Sequence, residues 1–278
     1  MNKFSGKNAL ITGGSSGIGL AIARRLTTLG ANVWLLARRE ELLMEAQKEL
    51  QGLSTKEAQE IEIIPCDVTD QSSLSKSLGQ VCDKVPFHFC FNSAGVAEPG
   101  DFLSLSIDKF HWMMDVNYFG IVHTCQIVLP GMLERKNGHI INISSVVGYL
   151  STPFYSAYGP TKMAVRALTE TLRAEYRHSG VRFSVVYPPD TQTPQLDYEN
   201  QFKPNLLKEV EKGMGVMDPD VVAAATLKGV ERKRFHILPG RSNWLMFHAT
   251  RLLNEGTFAL LDSELDQAES RLRKKFSK

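Results

Sequence analysis

Short runs of β-branched and aromatic residues alternate along this chain with longer stretches whose apolar positions recur at helical spacing. The alternation predicts strands at 8–12, 32–37, 61–67, 87–92, 139–144, 182–187 and 234–238. Between them it predicts helices at 17–29, 40–50, 71–84, 107–135, 156–178 and 218–228. A strand, a crossover helix and a further strand form the repeating unit of a parallel sheet covered on both faces. The expected fold is therefore one α/β domain over 1–278, a doubly wound parallel sheet of about seven strands with helices on both sides. The pattern breaks at 190–217, which reads as a loop-rich substrate insertion with a short helix. It breaks again at 239–278, an aromatic and leucine-rich helical extension ending in a basic tail.

Composition narrows the classes. A 43% hydrophobic content supports a sizeable core, and a net charge of +2 offers no basic excess of the kind that binds nucleic acid. The last eight residues, Arg271 to Lys278, carry five basic side chains and read as a solvated tail or, alternatively, a contact for acidic lipid headgroups. Cys66, Cys82, Cys90 and Cys125 show no CxxC spacing, which fits reduced thiols in a cytosolic compartment. The N-terminal run Met1-Asn2-Lys3-Phe4-Ser5-Gly6-Lys7 has no apolar signal region, and no uninterrupted apolar stretch reaches the roughly 18 residues of a membrane span. The expectation is a soluble, cytoplasmic protein, at most peripheral at a membrane surface. The histidines show no ligand spacing, so no metal is expected.

Candidate chemistry begins at the first strand–helix junction. There the turn Thr12-Gly13-Gly14-Ser15-Ser16-Gly17-Ile18-Gly19 marks Gly13, Ser15, Ser16, Gly17, Ile18 and Gly19 as a nucleotide cradle. Gly13 permits the tight turn, Gly17 the approach of a pyrophosphate and Gly19 close helix packing, while the helix N-terminus presents amides to phosphate. The second strand ends in Ala37-Arg38-Arg39, with no carboxylate to hold a ribose 2′-hydroxyl. Arg38, with Arg39 as a second contact, instead suits a 2′-phosphate, which points to NADPH/NADP+. Asp67 and Val68 after the third strand and Asn92, Ala94 and Gly95 after the fourth fall at strand C-termini, where ligands bind in open α/β sheets.

Tyr158 and Lys162 are spaced i, i+4 on a predicted helix, thirteen residues beyond Ser145. A neighbouring ammonium is expected to lower the phenol toward working pH, so that Tyr158 can exchange a proton with a carbonyl or alcohol oxygen that Ser145 also hydrogen-bonds.

Taken together, the glycine turn, Asn92-Ser93-Ala94-Gly95, the Asn117 of Val116-Asn117-Tyr118-Phe119-Gly120, Ser145, Tyr158 and Lys162 resemble the short-chain dehydrogenase/reductase family over roughly the first 195 residues. The resemblance implies a Rossmann-like fold. It implies Tyr158 as general acid, Ser145 rather than Ser144 as the carbonyl-orienting hydroxyl, and Lys162 on the nicotinamide ribose. It implies Asn117 as the holder of a water that resupplies protons. By analogy it also implies a homodimer or homotetramer through the helices near 107–135 and 156–178.

Where most of the family has Pro-Gly after the sixth strand, this chain has Tyr187-Pro188-Pro189-Asp190-Thr191-Gln192-Thr193-Pro194. That loop is similar to the 3-ketodihydrosphingosine reductase branch, which uses NADPH to reduce the ketone of a long-chain keto-amine lipid. The likeness implies Pro188, Thr191 and Thr193 beside the nicotinamide. Trp244, Leu245, Phe247, His248, Leu252 and Leu253 recur at near-helical spacing. Such a stripe fits core or a subunit interface, and alternatively an apolar lid or a shallow membrane-docking helix. Two other functions remain open: reduction of a 3-oxoacyl thioester, steroid or small ketone, and non-catalytic NADP(H) binding.

Overall fold

The computed structural model describes residues 2–213 and 215–276. Strands β1 (Asn8–Thr12), β2 (Asn32–Ala37), β3 (Ile61–Pro65), β4 (Phe89–Asn92), β5 (Gly138–Ile143), β6 (Val181–Val186) and β7 (His236–Ile237) are all parallel. They form one sheet in the order β3-β2-β1-β4-β5-β6-β7. The order reverses between β1 and β4, and crevices at such switch points open at the strand C-termini.

Both faces of the sheet are covered. Leu26 of α1 (Gly17–Thr28), Leu43 of α2 (Glu40–Gly52) and Leu227 of α9 (Pro219–Glu231) share one apolar core with Ile11, Leu35 and Ile141. Leu74 of α3 (Gln71–Cys82), Val128 of α5 (Gly120–Glu134) and Val165 of α6 (Tyr158–Glu175) share the other with Leu10, Leu36 and Ile140. Alternate residues of each strand supply the two cores, as a strand's period of two requires. All four cysteines are free.

The structure departs from the sequence pattern in four places. The predicted helix 107–135 is divided into α4 (Ile107–Met114) and α5 by a π-helical turn, Asp115–Phe119. Asn117 within that turn is drawn inward by hydrogen bonds to Val96. The helix predicted at 156–178 begins at Tyr158, so the tyrosine occupies its first turn. The segment 190–217 holds two helices, α7 (Pro194–Phe202) and α8 (Asn205–Val210), and its ends are joined by a parallel bridge between Thr191 and Met217.

The fourth departure is the basic tail. It forms the last turns of α11 (Gly256–Phe276), where Arg271 and Lys275 pair with the buried Glu209 of α8. The tail's described basic side chains are exposed, as expected of a solvated segment, but two of them are fixed at one end, because a buried carboxylate draws cations to it. Ser277 and Lys278 lie outside the described residues.

Among the described residues, one helical run, Ile107–Glu134, is long and apolar enough by composition to cross a membrane. Half of its most apolar window is buried against the sheet, as in a core helix.

Candidate active site

A cavity of about 440 Å³ opens over the C-terminal ends of β1, β2, β4, β5 and β6. Its wall contains Gly13, Ser15, Ser16, Gly17, Ile18, Gly19, Arg38, Arg39, Asp67, Val68, Ala94, Gly95, Ser145, Tyr158, Lys162, Pro188, Thr191 and Thr193. Two predicted residues do not line it. Asn92 is buried one layer below, where its amide donates to Asn142 Oδ1 at 2.8 Å. Asn117 is also buried and acts through the backbone: its Oδ1 accepts from Val96 N at 2.8 Å and its Nδ2 donates to Thr161 Oγ1 at 3.0 Å.

The glycine turn fits a dinucleotide by its shape. Gly13 has φ +65°, and a Cβ there would stand 2.7 Å from the Ala94 nitrogen; at Gly19 it would stand 2.3 Å from the Gly13 carbonyl oxygen. Any side chain would close the cradle. Arg38 is 60% exposed at the rim, with Asp67 3.7 Å away, and its guanidinium is open to an incoming anion. The donor set is cationic at the point where a 2′-phosphate differs from a hydroxyl.

The reacting end is built by β5 and α6. Ser144 donates to the Lys162 carbonyl oxygen at 2.8 Å, whereas the Ser145 hydroxyl, which accepts from Val147 N at 3.4 Å, keeps its own proton available toward the cavity. Val146 N donates to Pro188 O at 3.1 Å, tying the Ser145 loop to the double-proline loop. Phe154, between Ser145 and Tyr158, is held at φ +69°, a conformation that costs a bulky residue roughly 1–3 kcal/mol.

Lys162 Nζ donates to Ile143 O at 3.1 Å and lies 5.6 Å from the centre of the Tyr158 ring. Burial pulls its pKa down to about 8, with the Glu199 carboxylate resisting. Burial pushes the Tyr158 phenol upward, and Glu199 adds to the rise, while hydrogen bonds with Ser145 and Gln195 oppose it. The expected lowering of the phenol by Lys162 is therefore reversed in this geometry. Desolvation acts on both groups and outweighs a cation that is aimed at a carbonyl.

Sequence reasoning missed the opposite wall. Tyr155 OH donates to Glu199 Oε2 at 3.1 Å, and Gln195 Nε2 donates to Glu199 Oε1 at 2.8 Å. Lys203, buried to 5% exposure, pairs with Glu211 at 2.7 Å and Asp190 at 3.4 Å. The signal for these residues is the i, i+4 spacing of Gln195 and Glu199 on α7, with Lys203 directly after the helix, which looks like an exposed helix face. The aromatic stripe divides: Phe247 of α10 (Arg241–Leu253) packs on Tyr149 and Tyr187, whereas Trp244, Leu245, Leu252 and Leu253 are exposed, and the cavity is lined instead by Met246, Leu261 and Leu265, which lie outside the stripe.

The family model of the short chain dehydrogenases matches residues 7–204. The chain belongs to that family. It is 36% identical over 235 residues to a 3-dehydrosphinganine reductase of Danio rerio, covering 84% of this chain and 71% of the relative. A fatty acyl-CoA reductase of Acinetobacter baylyi is 33% identical over 287 residues, covering 96% of this chain and 93% of that one. Two solved short-chain dehydrogenases share the fold. One, from Sphingobium yanoikuyae in complex with NADPH, superimposes with TM-score 0.77 at 25% identity, covering 91% of this chain and 95% of that one. The other, from Burkholderia phymatum in complex with NAD, gives TM-score 0.80 at 26% identity, covering 92% and 96%.

Proposed function

We propose that this enzyme is an NADPH-dependent reductase of 3-ketodihydrosphingosine, a long-chain amino-ketone. The observation that carries the reading is Ser145 and Tyr158 facing one cavity that joins a glycine cradle to the apolar residues Met246, Leu261 and Leu265. The similarity to the Danio rerio relative supports the substrate, and the open Arg38 guanidinium beside Ala37 supports NADPH over NADH. NADPH, when bound, supplies a hydride to the carbonyl carbon. Ser145 and Tyr158 donate hydrogen bonds to the carbonyl oxygen, where negative charge develops, and Tyr158 delivers its hydroxyl proton to that oxygen. Lys162, as an ammonium, stabilises the tyrosinate left behind. Asn117 holds Val96 and α6 in register and keeps the floor of the site fixed.

The reading is tested by incubating the protein with NADPH and either 3-ketodihydrosphingosine or a 3-oxoacyl thioester. Oxidation of NADPH with the amino-ketone is the expected result. Turnover of the thioester alone would overturn it. The fatty acyl-CoA reductase likeness spans more of the chain and favours a second reading, reduction of an acyl thioester, so the assay includes a fatty acyl-CoA.

Two associations complete the proposal. Exposed Ile107 and Phe119 on the 107–134 run and Met163 on α6 fit a homodimer or homotetramer interface, checked by sedimentation equilibrium. Exposed Trp244, Leu245, Leu252, Phe258 and Leu260 on α10 and α11 fit shallow contact with a membrane surface, checked by co-sedimentation with lipid vesicles.

A further inference from the structure

We propose that Glu199 is the site that recognises the ammonium group of the substrate, and so selects amino-ketones over plain ketones. The proposal rests on the amino-ketone reading above and adds a residue and a chemical basis for it.

Glu199 is 6% exposed and lines the cavity. Each of its oxygens accepts from one neutral donor, Tyr155 or Gln195, which leaves further lone pairs for a ligand. A buried carboxylate is normally matched by a cation. Among the described residues Glu199 has no ion pair, and the two nearest buried cations are committed elsewhere. Lys203 is held by Glu211 and Asp190, and Lys162 donates to the Ile143 carbonyl. Glu199, Glu211 and Asp190 thus face the cavity around the single ammonium of Lys203, and burial raises the carboxyls of Glu199 and Glu211 above their ordinary range, the mark of a site short of positive charge. No group of His, Cys, Asp or Glu among the described residues converges closely enough to hold a metal ion. An organic cation is the ligand class that fits.

The position is as informative as the charge. Gln195 lines the same cavity as Tyr158 and donates to Glu199 at 2.8 Å, so one side chain stands between the proton donor's pocket and the carboxylate. In a 2-amino-3-ketone the ammonium stands on the carbon next to the carbonyl. With the carbonyl oxygen at Ser145 and Tyr158, that ammonium falls on the Gln195–Glu199 edge. The hydrocarbon chain then runs toward Met246, Leu261 and Leu265. Positive charge at Glu199 also offsets one of the three influences, burial, Glu199 and Asp190, that hold the Tyr158 proton too tightly, so the correct substrate improves its own proton donor.

The test compares wild type with Glu199→Gln and Glu199→Asp. The first readout is the ratio of kcat/KM for 3-ketodihydrosphingosine to that for its desamino analogue. Loss of a charge-assisted hydrogen bond predicts that Glu199→Gln lowers this ratio roughly ten- to hundredfold. Glu199→Asp, which keeps the charge but withdraws it by one methylene, lowers it less. Equal losses on both ketones would assign Glu199 a structural role and overturn the proposal. Should Glu199→Gln fail to fold, an unchanged ratio in Glu199→Asp overturns it as well. The second readout is equilibrium binding of hexadecylamine and hexadecanol to the NADP+-loaded protein. A wild-type preference for the amine that Glu199→Gln abolishes supports the subsite even if no amino-ketone is reduced, in which case only the reductase reading fails. Equal wild-type affinity for the two ligands sinks the subsite.

Discussion

Two lysines are buried to nearly the same depth on opposite sides of the cavity, Lys162 at 4% and Lys203 at 5% exposure, and their surroundings give them opposite properties. Lys162 meets a backbone carbonyl and an aromatic ring, and burial lowers its pKa to about 8. Around Lys203 burial also works against the charge, but Glu211 and Asp190 more than compensate and hold the pKa above its ordinary value. Burial alone therefore does not decide whether an ammonium is fixed or ready to give up its proton. The presence of carboxylates decides it. The first lysine belongs to chemistry and the second to architecture.

The comparison can be broken most sharply at Tyr158. Tyr158→Phe should lower kcat by roughly 10²- to 10⁴-fold while leaving the NADPH dissociation constant within a few-fold, as single-turnover and binding measurements would show. Retained turnover would detach the Lys162 side from catalysis. Lys203→Met should instead act on stability. Leaving Glu211 and Asp190 without their cation predicts a loss of about 3 kcal/mol in urea unfolding, the low end for a broken buried pair because Asp190 keeps 42% exposure. An unchanged urea midpoint would remove Lys203 from the architecture.

Arg38→Asp touches neither lysine. It should shift the kcat/KM preference from NADPH toward NADH by roughly ten- to hundredfold with no change in unfolding. An unchanged preference excludes Arg38 from the cofactor site.

The pH dependence of stability separates the two lysines as well. Since the folded-state pKa of Lys162 lies below its unfolded value, the unfolded chain holds the proton more tightly between about pH 8 and 10.4. The stability of wild type relative to Lys162→Met should rise across that window by up to about 1.4 kcal/mol per pH unit. Lys203, with a raised pKa, contributes stability that is fully present below its unfolded value and is lost as the pH rises through its folded one. The stability of wild type relative to Lys203→Met should therefore not rise over the same window.

What the chain revealed in advance follows the range of the interactions. The glycine turn and the Tyr158–Lys162 pair depend on neighbours within a few residues, and both were readable as written. The parallel, helix-covered sheet followed from the alternation of short and long periodic segments. The π-helical turn was not readable, since nothing in Asp115-Val116-Asn117-Tyr118-Phe119 distinguishes it from ordinary helix; it is drawn out by Val96, twenty-one residues away. The burial of Glu209 in α8 was not readable either, since its partners come from α11, which brings Arg271 to it across sixty-two positions. Asn92 stood at the right strand end but on the wrong side of the pleat.

The bridge between Thr191 and Met217 has a consequence for how such enzymes diversify. It is reinforced by Met217 N donating to Asp190 O at 2.8 Å and Gln192 N donating to Met217 O at 2.9 Å. Everything between these anchors, Glu199 and Lys203 included, is a cassette stitched shut at its base. Its contents nevertheless reach the proton-transfer end, through Gln195 and through Glu199, which accepts from Tyr155, while the seam itself continues into Pro188 and from there to the Ser145 loop. A change within 192–216 is therefore felt at the proton donor as well as in substrate choice, and a swap of that segment between relatives moves specificity cleanly only where Gln195 and Glu199 are kept.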